Sequence, residues 1–148
     1  MRKFYLLLSL MLTFTLFSQD KETITKITKN DAEIIIPGSW EMLNTMDDSG
    51  QTYFQNNEKV IIAISLNPKK AYSFYKAKKS DFDNLKLFYK WDSDYRKDLG
   101  FKTGLIKENK KQEYIIWRYN DNEIDNVFLF SSVKNNFINL LVYTNTWS

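Results

Sequence analysis

Three acidic side chains in the C-terminal third of the chain have the spacing of metal ligands. Asp121, Glu123 and Asp125 alternate as the first, third and fifth ligands of a calcium loop do. Such a loop also needs glycine at its sixth position and glutamate at its twelfth, where this sequence has Asn126 and Ser132. We therefore expect a solvated hairpin turn at these residues and no metal ligands.

Two further carboxylate pairs are candidates for acid–base chemistry. Asp92 and Asp94 stand two residues apart in a predicted helix, so they point about 200° away from each other and cannot share a substrate. Asp47 and Asp48 begin the segment DDSG, whose composition is typical of a turn. A small hydrolase or carbohydrate-active domain using Asp47 and Asp48 is one alternative function.

The side chains that most enzymes use are missing from this sequence. Its 148 residues include no histidine, no cysteine and only four glycines. This composition excludes a disulfide scaffold, a Cys/His zinc site, an imidazole base and a cysteine nucleophile. The sequence also has no G-x-S-x-G motif, phosphate-binding glycine loop or dinucleotide fingerprint. We therefore expect no cofactor, no catalytic residue and a protein that is not an enzyme.

The most distinctive polar segment, residues 67–79, interleaves lysines with aromatic residues. Its candidate partner contacts are Lys69, Lys70, Tyr72, Phe74, Tyr75, Lys76, Lys78 and Lys79. One interpretation is a loop that presents rings and positive charge to an acidic protein, a glycan or a peptide. The other is a linker whose rings pack under the sheet while its lysines keep it soluble.

The chain begins with an apparent export signal. Residues 1–20, MRKFYLLLSLMLTFTLFSQD, have a basic start, an apolar run over 4–17 and then the small residue Ser18. This is the order of a signal peptide, and the run is shorter than the roughly 20 residues of a spanning helix. We expect cleavage between Ser18 and Gln19, with an uncleaved anchor as the alternative. Residues 19–148 then form a single secreted or periplasmic domain without a transmembrane helix.

Removal of this segment makes the chain nearly neutral. Arg2 and Lys3 account for two of the 21 basic residues, so 19 remain against 18 acidic residues, a net charge of +1. A balance so close to zero does not favour a nucleic-acid or anionic-membrane partner. The expected partner is another protein, or a second copy of the chain.

The predicted elements follow the order strands, helix, strands. Strands are predicted at 33–36, 51–54, 59–66, 102–107, 112–119, 123–131 and 137–143. Between the two groups, Ser80 and Asp83 form a capping box, and apolar residues recur at helical spacing until Gly100. Short loops between the later strands imply an antiparallel meander, so the expected fold class is α+β with one long mid-chain amphipathic helix.

The later strands carry large apolar side chains on both faces. In one of them, Ile115 and Trp117 oppose Tyr114 and Ile116. This pattern is typical of a sheet that is covered on both sides. One helix covers only one side, so we expect an open second face that is available to a partner or to self-association.

The segment IIIPGSWEML together with the mid-chain helix resembles the PsbP/DcrB-like family of small sandwich domains. In that family the first strand commonly ends in a proline-containing bend followed by tryptophan, matched here by Pro37 and Trp40. The resemblance covers about residues 30–146 and implies an accessory or binding subunit. It also implies a closing C-terminal helix, which we do not expect after the last predicted strand, so either the chain is shortened relative to the family or something else covers that face. Trp40 is thus a candidate partner contact, or else an aromatic residue covering the edge of the core.

These observations predict a secreted or periplasmic, non-catalytic domain that binds another protein. It would use the open sheet face or the segment 67–79. An immunity or inhibitor protein that neutralises an exported toxin is a second prediction in the same broad class. The hydrolase on Asp47 and Asp48 is the third.

Overall fold

A computed structural model of the chain describes residues 23–29, 32–45 and 50–143. These ranges contain nine strands and one α-helix in the order strands, helix, strands, which confirms the α+β class. The elements are β1 (Ile24–Lys29), β2 (Ala32–Pro37), β3 (Trp40–Thr45), β4 (Thr52–Asn56), β5 (Ile61–Pro68), α1 (Asp81–Asp98), β6 (Lys102–Asn109), β7 (Tyr114–Asn120), β8 (Asp125–Val133) and β9 (Asn136–Tyr143). A single 3-10 turn, Lys69–Ala71, follows β5.

Helix α1 begins and ends where the sequence predicts. The Ser80 hydroxyl accepts a hydrogen bond from the backbone N–H of Asp83 at 3.1 Å and donates one to its carboxylate at 2.7 Å. After Leu99 the chain leaves the helix through Gly100, whose φ of +86° is the left-handed conformation that glycine adopts most easily. The Ser80 cap and the glycine stop are therefore confirmed, whereas Asp83 reaches back to the hydroxyl of Ser80 and not to the backbone N–H that a full capping box would use.

Seven strands form one antiparallel sheet in the order β3-β4-β5-β9-β8-β7-β6. Strands β3 to β5 make one meander and β6 to β9 make another. The two meet where β5 pairs with β9, from Ile61 opposite Tyr143 to Pro68 opposite Asn136. Helix α1 carries the chain from the middle of the sheet to its far edge. The predicted meander of the last four strands is confirmed.

The first face of the sheet packs against α1. Phe88 of the helix stacks on Phe130 of β8, with ring centroids 4.0 Å apart and planes 6° apart. Trp117 of β7 stacks in turn on Phe128, with centroids 4.7 Å apart. The buried members of this core are Ala63, Phe82, Leu85, Phe88, Ile115, Trp117, Tyr119, Phe128, Phe130, Phe137 and Leu141. Aromatic rings thus supply most of the contact between helix and sheet.

The second face is covered in part by a separate two-stranded sheet, the β1–β2 hairpin. Ala32 and Ile36 of β2 are buried with Ile62 and Ile64 of β5, and Leu140 of β9 packs against the same group. The expectation of an open second face is therefore corrected over β4, β5 and β9. The cover comes from the chain itself.

Two of the five strands before the helix were absent from the sequence prediction. Strand β1, ITKITK, has a polar residue after each isoleucine, and β3, WEMLNT, has one β-branched residue in six. Both have their register fixed by a neighbour, β1 by β2 and β3 by β4. Tertiary pairing sets these strands where intrinsic propensity is weak.

Candidate functional site

The segment that joins β5 to α1 contains most of the residues singled out by the sequence, and the structure divides them into buried and exposed groups. Lys69 is 4% exposed. Its Nζ lies 2.7 Å from Asp81 Oδ1 and donates a second hydrogen bond, also 2.7 Å, to the backbone carbonyl of Lys134. Ser132 Oγ donates to the other oxygen of Asp81 at 3.1 Å. Lys69 is thus a structural residue that joins β5, α1 and the β8–β9 turn, and it is removed from the candidate partner contacts.

The three aromatic residues of the segment pack against the helix-side core. Tyr72 and Phe74 lie with their ring centroids 5.1 and 5.5 Å from that of Phe88. Tyr75 meets Phe137 of β9 edge-on, with centroids 6.3 Å apart. The linker interpretation, in which these rings pack under the sheet, describes their positions better than a loop presenting them to a partner.

The Tyr72 hydroxyl is also fixed. It accepts a hydrogen bond from Asn67 Nδ2 at 3.1 Å. Burial raises the pKa of Tyr72, and the hydrogen bond from Asn67 offsets part of that rise. The phenol therefore serves as a neutral anchor for the loop.

Asn84, which the sequence analysis did not single out, holds the second half of the segment. Its side chain is 1% exposed, and Oδ1 accepts a 2.9 Å hydrogen bond from the backbone N–H of Lys76. Its Nδ2 faces the carbonyl oxygens of Lys76, Lys79 and Ser80 at 3.0, 3.3 and 3.0 Å. A polar residue at a buried position of an amphipathic helix is the signal that would have identified it.

Four lysines of the segment remain exposed, and a half-exposed tryptophan of α1 contacts two of the segment's rings. Trp91, 48% exposed, meets Tyr72 edge-on at 5.7 Å and lies 5.5 Å from Phe74, between ring centroids. These two rings stand in the chain between Lys70 and Lys76. We group these exposed residues as the lysine–tryptophan surface; its members are Trp91, Lys70, Lys76, Lys78 and Lys79.

Trp91 was missed by sequence reasoning, although its signal was present. It interrupts a run of charged and polar residues, KWDSD, and it is half exposed although it stands one helical turn after the buried Phe88. A large aromatic residue at a solvent-facing helix position contributes little to a core. Tryptophan is one of the three residue types that are enriched among binding hot spots, with tyrosine and arginine.

Trp40 has the structural role that was one of its two interpretations. Its indole Nε1 donates a 2.8 Å hydrogen bond to the carbonyl of Pro37, and its backbone N–H donates to Thr25 Oγ1 at 3.0 Å. The ring packs against the core under the β1–β2 hairpin. Trp40 therefore closes the edge of that core, and it lies apart from the lysine–tryptophan surface.

The carboxylates of the helix point in opposite directions, as their spacing predicts. Asp92 is buried 3.4 Å from Arg96 Nε, whereas Asp94 is partly exposed and pairs with Lys90 and with Lys97. Burial raises the pKa of Asp92 despite the nearby Arg96. Hydrogen bonds from the two lysines lower the pKa of Asp94.

Asp121 forms the predicted hairpin turn between β7 and β8. Its Oδ1 accepts hydrogen bonds from the backbone N–H groups of Glu123 and Ile124 at 3.1 and 2.9 Å, and its Oδ2 accepts one from Asn126 Nδ2 at 3.2 Å. The hydrogen bond from Ile124 is the main cause of a lowered pKa of Asp121. Both carboxylate oxygens of Asp121 thus accept hydrogen bonds from residues of the turn and of the start of β8.

Several predicted features lie outside the described residues. These are the cleavage site between Ser18 and Gln19, the Asp47–Asp48 pair, and the residues from Thr144 onward. Within residues 23–29, 32–45 and 50–143, no three acidic side chains are arranged to hold a metal ion. In the same ranges, no helix combines the length and the apolar character that crossing a membrane requires.

Comparison with models of known protein families and with curated proteins finds no match for this chain. The resemblance to the PsbP/DcrB-like family stays a prediction. Function must therefore be inferred from the residues of this chain.

Proposed function

We propose that this chain is a non-catalytic domain that binds another protein, and that its lysine–tryptophan surface contacts an acidic segment of that protein. The observation that carries the proposal is Trp91. Its ring is half exposed yet fixed on one side by Tyr72 and Phe74. A tryptophan held in this way loses little side-chain entropy on binding.

The lysines of the segment that packs against Trp91 indicate the chemistry of the partner. Lys70, Lys76, Lys78 and Lys79 are all exposed and lie in the chain on either side of the rings that Trp91 touches. The four lysines outnumber the two acidic residues of the first turn of α1, Asp81, which pairs with the buried Lys69, and Asp83, which accepts a hydrogen bond from Ser80. An aromatic anchor with a basic rim fits a partner that has an apolar side chain flanked by Asp and Glu.

The fixed loop favours binding over catalysis. Lys69 and Asn84 hold the segment at both ends, so the exposed lysines project from an ordered backbone. Two carboxylates of α1 already have partners. Asp94 forms ion pairs with two lysines, and Asp83 accepts a hydrogen bond from the Ser80 hydroxyl at the start of the helix. The arrangement presents a surface and offers no pair of free carboxylates beside it.

Selection from a library of short random peptides tests this proposal directly. Wild-type protein is expected to enrich peptides that have Asp and Glu around a Leu, Phe or Trp. Their affinity is then measured by fluorescence anisotropy. Trp91→Ala should weaken binding about thirtyfold, the effect of losing one hot-spot residue worth about 2 kcal/mol.

Two matched controls make the test specific. Tyr95→Ala removes another half-exposed aromatic residue of α1 that has no ring contact with the loop, and it should bind as the wild type does. Changing Lys76, Lys78 and Lys79 to Glu should abolish binding. Changing the distant exposed residues Lys59, Lys102 and Lys107 to Glu should leave most of the peptide binding intact. Enrichment of neutral peptides, or equal loss in both triple variants, contradicts the proposal.

We also propose that the domain acts outside the cytoplasm, in the periplasm or the medium. The support is residues 1–18, with their basic start, apolar run and small final residue. N-terminal sequencing of the exported protein is expected to begin at Gln19. A product that still begins at Met1 and sediments with membranes would instead indicate an uncleaved anchor.

A further inference from the structure

Gly104 of β6 is a glycine that the backbone does not require. Gly38, Gly50 and Gly100 each have positive φ, between +61° and +93°, where other residues are strained. Gly104 has no positive φ and lies in a regular strand, opposite Arg118 of β7. A Cβ added at Gly104 would meet no atom within 4 Å, so close packing does not exclude a side chain either.

Glycine in a strand interior weakens the strand and often marks a place where a ligand or another backbone approaches closely. The register shift of β6 begins at the next residue, between Leu105 and Lys107, whereas Gly104 itself keeps a regular pair with Arg118. The space above Gly104 is instead part of a cavity of about 210 Å³. The cavity is lined by Lys102, Thr103, Gly104, Arg118, Asn120 and Asp125.

The cavity contains two cations and one carboxylate. Arg118 Nη1 lies 3.6 Å from Asp125 Oδ2, an ion pair too long for a strong hydrogen bond. The other oxygen of Asp125 accepts a 2.9 Å hydrogen bond from Asn120 Nδ2, which fixes the carboxylate. Asp125 thus orients the guanidinium of Arg118. Most of the five N–H donors of Arg118 remain available to a ligand.

Lys102 supplies the second cation. It is exposed, it stands opposite Asn120 in the β6–β7 register, and it makes no ion pair with any of the described residues. With Arg118 and Asp125 the cavity carries a net charge of +1. A planar guanidinium beside a lysine is the pair of groups that proteins use to bind phosphate and carboxylate.

We propose that this cavity, the Gly104 cavity, binds the phosphate or carboxylate group of a small molecule. Arg118 makes paired hydrogen bonds to two oxygens of the group, and Lys102 neutralises its charge. Gly104 leaves the space that the group occupies. The cavity is smaller than the 300 to 1,000 Å³ of sites for drug-sized ligands, so it fits an anionic group with a short body.

This site is independent of the proposed protein-binding surface. It is lined by residues of β6, β7 and β8, whereas the lysines of the lysine–tryptophan surface stand between β5 and α1 and Trp91 stands within α1. Loss of one function should leave the other unchanged.

Titration with inorganic phosphate at constant ionic strength, followed by amide chemical shifts, tests the site. Saturable shifts are expected at residues 103, 104 and 118, with a Kd on the order of 1 mM. Arg118→Gln should weaken binding at least tenfold, because it removes charge-assisted hydrogen bonds. Gly104→Val should abolish binding by filling the cavity while β6 stays folded, since valine favours strands.

A lysine pair on β6 supplies the control. Lys102→Gln should weaken phosphate binding severalfold, whereas Lys107→Gln, an exposed change on the same strand beside Tyr114, should leave it unchanged. Acetate in place of phosphate and vesicles containing phosphatidylglycerol then identify the source of the anion. Saturable binding of any of the three that Gly104→Val removes supports the site. Failure of all three to bind, or equal binding by Gly104→Val, overturns it.

Discussion

The ammonium group of Lys69 lies 2.7 Å from the carboxylate of Asp81, the first residue of α1. This pair joins the end of β5 to the start of the helix, and the Lys134 carbonyl extends the contact to the β8–β9 turn. Three segments that are distant in the chain thus meet at one side chain. The orientation of the loop between β5 and α1 depends on it.

Lys69→Gln is expected to lower the free energy of unfolding by about 2 kcal/mol. Gln cannot reach all of the partners of Lys69, so Asp81 and the Lys134 carbonyl lose a charged donor. The cost falls short of that for a fully buried pair, because the Asp81 side chain is 40% exposed. Urea denaturation followed by circular dichroism measures the change.

Lys70→Gln is the matched control for this prediction. Lys70 is the next residue and is exposed, so its replacement should change stability by less than about 0.5 kcal/mol. Equal effects at the two positions would show that Lys69 has no special structural role. The same reasoning removes Lys69 from any charge-reversal test of binding, because its reversal would also destabilise the fold.

The sequence could not predict that Lys69 is buried while the other lysines of the segment are exposed. Lysine is rarely buried, and in NPKKAYSFYKAKK nothing local separates Lys69 from Lys70. The difference arises from Asp81, Ser132 and Lys134, which only the tertiary fold brings together. By contrast, α1 could be predicted because its capping box, apolar spacing and final glycine are all local signals.

Asn84 illustrates the same limit at the other end of the loop. We expect Asn84→Ala to lower the free energy of unfolding by about 3 kcal/mol, because it leaves the backbone N–H of Lys76 without its partner and removes the hydrogen bonds from Asn84 Nδ2 to three carbonyl oxygens. The amide of Lys76 should also exchange with solvent much faster. Hydrogen exchange followed by mass spectrometry or NMR detects this.

Asn57→Ala, in the exposed turn between β4 and β5, is the control for Asn84. It should leave both stability and the exchange rate of the Lys76 amide within experimental error. A stable Asn84→Ala variant with a protected Lys76 amide would show that the ring contacts alone fix the loop.

The main error of the sequence-based fold prediction was the omission of the β1–β2 hairpin. The apolar residues on both faces of the later strands correctly indicated two covers, but the second was assigned to a missing helix or a partner. The cover is a hairpin whose first strand, ITKITK, alternates too weakly with polar residues to be recognised. Its register is set by antiparallel pairing with β2, from Ile24 opposite Pro37 to Lys29 opposite Ala32.

Two neighbouring isoleucines of β2 test this cover. Ile36 is 9% exposed and faces the sheet, whereas Ile35 is 54% exposed and faces solvent. Ile36→Ala should therefore cost about 3 kcal/mol, the usual cost of a large-to-small change in a core, and Ile35→Ala less than about 0.5 kcal/mol. Thermal denaturation gives both values. If the two variants are equally stable, the hairpin does not cover the second face.

Asp92 gives a prediction for the pH dependence of stability. Burial raises its pKa in the folded protein above the value of about 3.9 expected in the unfolded chain. Between these two values the folded state holds a proton that the unfolded state has released. The free energy of unfolding therefore falls as the pH rises from about 4 through the folded-state pKa of Asp92. Asp92→Asn removes this loss, so its stability relative to the wild type should increase over the same interval.

Asp94→Asn is the control on the same helix, and its effect has the opposite sign. Lys90 and Lys97 lower the pKa of Asp94, so this carboxylate stabilises the fold above about pH 4, and the stabilisation disappears as the pH falls through the folded-state pKa. Relative to the wild type, Asp94→Asn should lose stability as the pH rises toward about 4 and then stay constant. Urea denaturation across this range compares the three proteins. A wild-type-like pH profile for Asp92→Asn would mean that Arg96 fully compensates for the burial of Asp92.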